Sequence, residues 1–204
     1  GATAAALNLT LTGTSASLFA TIYPCDTTRP DASNINAAAG ATIANSAISK
    51  LAADGSICVF TEQSTDLIVD VSGWFTTASD YVAVTPARLL ETRQGPTTID
   101  GISQGAGLIA ANSTTTLQVA GRGGAPANIA TVVVNVTVTG TISPGFITVY
   151  PCDQPRPTAS NLNYGTGTTV ANNVIVKTSP TGTICFYNEA ATRLITDING
   201  YLPT

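Results

Sequence analysis

The sequence predicts an all-β protein: antiparallel β-sandwich modules in tandem, with little or no helix. Three observations carry that prediction. Apolar residues alternate with Thr and Asn at a period of two, the chain duplicates itself without a gap, and no stretch of ten or more residues combines a 3.6-residue period with helix caps.

The elements follow in order. In LNLTLTGT, Leu7, Leu9 and Leu11 fall on one face of an extended strand. In VVVNVTVTGT, Val132, Val134, Val136 and Val138 do the same, with Asn135, Thr137 and Thr139 opposite. GFITVYPC, ANNVIVK, GTICFY and RLITDINGYL are short, rich in β-branched or aromatic residues, and separated by Gly, Pro, Asn or Ser. The Ala-rich stretch from Ala37 to Ala47 comes nearest to a helix. Its counterpart, YGTGTTVANNV, has two glycines and adjacent threonines and is a poor helix former. Two further strands, YVAVTPARLLETR and TTTLQVAG, lie in the connecting segment between Gly- and Pro-rich loops.

The duplication aligns Gly1–Thr77 with Asn128–Thr204 and matches 33 of 77 positions. Shared loop lengths imply one shared fold, and two copies at this spacing are tandem domains rather than a solenoid. Residues 78–127 have no earlier counterpart. The expected organisation is therefore a complete module at 78–204, and at 1–77 an incomplete one that lacks its first strands or is completed by another chain. An incomplete sandwich exposes unpaired strand edges, which invite strand addition. The chain has neither an initiating Met nor a signal peptide, as expected of a processed product or an excised segment.

The motif string VAVTPARLLETR, LQVAGRGGAPA, VVVNVTVTGT, GFITVYPCDQPRPTASNLNY and LITDINGYL resembles a repeat module of secreted and surface proteins of actinobacteria and related bacteria. The resemblance covers nearly the whole chain. It implies an extracellular β module, often in tandem or appended to other domains, with no enzymatic role to carry over. Glu91 departs from the family's usual Asp in LLDTR.

Composition narrows the function. Charged residues make up 10% of the chain, against about 25% in globular proteins, and the net charge is −4 without a basic run. A nucleic-acid partner is not expected. No run of 18 apolar residues is present to span a membrane as a helix. Cys25, Cys58, Cys152 and Cys185 form two pairs with equal spacing, without a Cys-x-x-Cys motif or any His. The pattern predicts the disulfides Cys25–Cys58 and Cys152–Cys185 and an oxidising, extracellular or cell-surface location, and it argues against a metal or a cofactor.

Catalysis is not expected, because no His is available as general base or nucleophile activator. Lys50 and Lys177 read as solvated strand ends. Asp70 and Asp197, each before a glycine, read as caps on backbone donors or as partners for an arginine. Calcium is weakened as a ligand because Asp31 and Asp54 become Thr158 and Thr181 in the second copy. The Gly121–Ala127 stretch lacks the Lys-Ser/Thr ending of a phosphate loop and reads as a turn. Arg29 and Arg156, beside Pro30 and Pro157 and near Asn34 and Asn161, either pin a rigid corner through hydrogen bonds to carbonyls or to Asp26 and Asp153, or contact a neighbouring subunit. Trp74 and Tyr201 are the aromatics for stacking on a surface glycan, although the repeat does not maintain an aromatic platform. The expected function is a non-enzymatic extracellular structural protein that self-associates head to tail into, or decorates, a fibre, stalk or layer. The alternative is a carbohydrate-binding or adhesin module of a larger secreted protein.

Overall fold

The computed structural model of the chain describes residues 1–78 and 80–204, apart from the side chain of Ser72. Its elements are β1 (Ala2–Thr12), β2 (Leu18–Pro24), β3 (Ile35–Ala37), β4 (Ile43–Lys50), β5 (Ile57–Thr61), β6 (Asp66–Thr76), β7 (Val82–Glu91), β8 (Ser113–Gln118), β9 (Ile129–Thr139), β10 (Gly145–Pro151), β11 (Leu162–Tyr164), β12 (Val170–Lys177), β13 (Thr183–Asn188) and β14 (Arg193–Pro203). No helix occurs among the described residues. The Ala-rich segment forms β3, a turn at Gly40 and the start of β4.

The named strands pair antiparallel into four sheets, two per module. In residues 1–77 both sheets have three strands, in the orders β4-β1-β6 and β3-β2-β5. In the later module both have four, β12-β9-β14-β7 and β11-β10-β13-β8. The extra strands, β7 and β8, are those that the first module has no counterpart for. They lie beside β14 and β13, so the corresponding edges of β6 and β5 lack a neighbouring strand among the described residues.

Period-two alternation sends one side of each strand into a core. Leu7, Leu9 and Leu11 stand opposite Val71, Val69 and Leu67 on the inner face of the first module and pack with Leu18, Ile22 and Ile35 of the facing sheet. Val132, Val134, Val136 and Val138 take the same place in the second core, against Leu117, Ile147, Ile184 and Phe186. The disulfides are Cys25–Cys58 and Cys152–Cys185, each clipping the end of β2 or β10 to β5 or β13.

The modules touch. The outer face of the β12-β9-β14-β7 sheet carries β2, β3 and β4 of the first module, with β4 against β7, β12 and β14. An apolar seam joins them: Ala4, Ile48 and Phe75 pack with Tyr81, Val133 and Leu202.

Candidate functional site

The joint between the modules gathers a connected cluster of buried polar groups. Its first half is the corner after Cys25. There Thr21 donates its hydroxyl to Ala32 O, and Asn34 Oδ1 accepts from the Ile22 N–H at 2.7 Å, which fixes the Ala32-Ser33-Asn34 backbone. The second half is the outer face of β9 and β14, where Asn135 and Asp197 are direct cross-strand partners. The Ser33 N–H donates to Asp197 Oδ2 at 3.0 Å, and Asn135 Nδ2 donates to Ser33 O. Asn45 Nδ2 donates both to Asn34 O at 2.6 Å and to Asn135 Oδ1 at 3.1 Å. Backbone groups that leave a strand at a corner thus find partners on the next module rather than in water.

Behind this lies an ion network around Arg88. Arg88 of β7 donates through Nε to Asp197 Oδ1 at 2.9 Å and through Nη1 to Glu91 Oε2 at 3.1 Å. Arg93 grips both oxygens of Glu91, at 2.9 and 2.7 Å. Arg88, Glu91 and Asp197 are all buried, while Asp31 at the rim lies 3.6 Å from Arg88. Two arginines and two carboxylates balance, which is the condition for keeping charges in a low-dielectric interior. Burial pushes the Asp197 carboxyl up, against the pull of Arg88 and the Ser33 N–H. For Arg88, burial disfavours the charge, but Asp197, Asp31 and Glu91 outweigh it and raise its pKa. Glu91 links the two arginines of this network.

A second unforeseen pair lies in the glycine-rich turn. Arg122 is buried and donates to Asp100 through Nε at 2.7 Å and Nη2 at 2.8 Å, and to Leu89 O at 2.9 Å. The Arg122 hydrogen bonds, with the Ile102 N–H and the guanidinium charge, hold the Asp100 carboxyl down at about 2 against the opposing effect of burial. Gly123 adopts φ 57°, and a Cβ there would meet Ile198 Cγ2 at 2.7 Å, so glycine lets the turn press onto the core.

The residues singled out from sequence divide as follows. Arg29 and Arg156 do not bond to Asp26 or Asp153: their guanidinium carbons sit over the rings of Phe60 and Tyr187, at 4.0 and 3.8 Å from the centroids. The planar cation covers an aromatic face on the neighbouring strand. Asp26 instead accepts the Ala53 N–H, and Asp153 the Gln154 side chain. Asn34 and Asn161 hold equivalent corners, since Asn161 Oδ1 accepts from Val149 N and Asn161 O from Asn172 Nδ2. Trp74 is 70% exposed near the end of β6, whereas Tyr201 is half-buried on β14. Tyr81, Tyr150 and Tyr164 are buried and take no part in a surface platform. Asp54 accepts from its neighbour Ser56, so the acids considered for calcium serve separate local contacts.

Asp197 is a partner for an arginine, as one sequence alternative had it. Its counterpart Asp70 is exposed on β6 and, among the described residues, has no side-chain hydrogen bond or ion pair. No group of three or more His, Cys, Asp or Glu residues able to hold a metal occurs among the described residues, and no helix there is long and apolar enough to cross a membrane. Set against known family models, curated proteins and solved structures, the chain matches none.

Proposed function

We propose that this is a non-enzymatic structural protein of the cell exterior, building or decorating a fibre, stalk or layer through β modules that associate head to tail. The observation that carries the reading is the edge of β6. Leu67, Val69 and Val71 on its inner side are 39%, 38% and 67% exposed, and Trp74 stands beside them. An open strand edge flanked by apolar side chains is a template for pairing with another chain. Abundant Thr and Asn with little charge suit close, hydrogen-bonded contacts between molecules, and the two disulfides fit an oxidising environment. Negative-stain microscopy and sedimentation velocity across a concentration series test the proposal. Elongated assemblies that grow with concentration are expected; a monodisperse monomer at high concentration overturns it.

A second reading, a carbohydrate-binding module, has the exposed indole of Trp74 in its favour. Polysaccharide pull-down that Trp74→Ala abolishes would establish it in place of the first.

A further inference from the structure

We infer that the outer face of β1 and β6 is the acceptor for the Thr158–Asn161 corner and β12 of a second copy of this chain, repeating between molecules the joint that binds the two modules within one. The inference rests on the structural reading above and names the two surfaces that would carry it.

Each half of the internal joint exists twice. The inserting half is Ala32, Ser33 and Asn34 at the corner, with Asn45 and Ile48 of β4 beside it. In the second module the same half is free: Ala159 and Ser160 are exposed, and Ile175 is 61% exposed on β12. Asn172 already bonds its own corner through Asn161 O, as Asn45 does through Asn34 O. What it lacks is the second acceptor that Asn45 finds in Asn135. The receiving half is Asn135, Asp197 and Ile195, all buried by the first module. Its counterpart is Asn8, Asp70 and Ile68, with Asn8 directly opposite Asp70 in the same register, and with Asp70 and Ile68 exposed.

Two sequence facts favour the match. All eight of these positions are identical between the copies, although fewer than half of the aligned positions are. The corner position that differs is the one whose partner differs. Asp31 lies beside Arg88 of β7, and β6 has no β7 beside it; the corner that would dock there carries Thr158, which asks for no cation. The contact uses different surfaces on the two molecules, so each pairing leaves another free half and the assembly propagates. Lacking Arg88, it is weaker than the internal joint and therefore depends on concentration.

The test uses two variants of the full chain, each spoiling one exposed half: Ile175→Lys on the inserting side and Asp70→Lys on the receiving side. Each alone should raise the concentration at which assemblies form by about tenfold or more, as loss of a central contact does. Their circular dichroism and melting should match the unaltered chain, because both side chains are exposed. Mixed, the two retain one intact inserting half and one intact receiving half. Sedimentation should then show dimers that grow no further. Assemblies that form unchanged in both variants, or a mixture that stays monomeric, overturn this joint while leaving self-association standing. An unaltered chain that never assembles overturns the joint and the structural reading together.

Discussion

β6 and β14 are the same strand in sequence and different strands in physics. Both lie beside a strand of alternating apolar residues, and both carry the Leu-Ile-x-Asp pattern before a glycine. Yet Leu194 and Ile198 are essentially buried where Leu67 and Val71 are not, and Asp197 is locked to Arg88 where Asp70 faces water. The difference is β7 with its following loop and, on the outer face, the corner and β4 of the first module. Burial and ionic partnership are properties of the neighbour supplied, so one motif can be core in one module and surface in the other.

The largest break in this comparison is expected at the ion network. Arg88→Leu leaves Asp197 and Glu91 with one cation between them in a dry interior and should cost about 3–5 kcal/mol, read as a fall in the denaturation midpoint. Asp70→Asn, the mirror of touching Asp197, should stay within about 0.5 kcal/mol because the side chain is exposed.

Removing one disulfide separates the modules next. Each bond closes the same 33-residue separation and is worth about 3–4 kcal/mol in the loop-entropy account. Cys25→Ser with Cys58→Ser should leave the three-stranded module open to rapid proteolysis. The matching pair at 152 and 185 should lower the melting temperature of a module that still folds.

A paired glycine substitution compares the strands at one point. At Gly200 an added Cβ would come within 2.2 Å of Tyr81 Oη, which donates to Asn199 O in the seam. Gly200→Ala should therefore cost about 1–3 kcal/mol through overpacking. At Gly73 nothing lies within 4 Å, and Ala there should be neutral or stabilising by about 0.5 kcal/mol, as replacing a strand glycine allows.

The smallest effect concerns pH. Asp100, held at about 2 by Arg122, has a folded pKa below the unfolded value of 3.8. Its contribution is present above that unfolded value and is lost as pH falls through about 2. For a carboxylate that is partly exposed, about 1–2 kcal/mol is at stake. Asp100→Asn should lower stability at neutral pH and flatten the acid limb of the stability profile between about pH 4 and 2.

Strands, turns and disulfide partners were legible in the sequence because they depend on short-range regularities: alternation, turn residues and the repeated spacing of cysteines. The corners at Asn34 and Asn161 were legible as rigid. The partners of their arginines were not, because an aromatic ring on the adjacent strand, Phe60 or Tyr187, carries no local signature. Arg88, Glu91, Arg122 and Asp100 were passed over for a related reason. Their partners lie across the fold, and the one hint was that so few charges in the chain must each have an assigned place.

By itself the sequence determined the all-β class, the internal duplication and the strand faces, since period and spacing are read along one dimension. Only the tertiary structure decided that Ser33 docks on Asp197, that Arg88 pairs with Asp197 at the joint, and that Asp70 and Ser160 are left exposed. Those outcomes depend on which sheet face meets which corner. Two copies with the same strand order and turn positions still differ in what stands next to them.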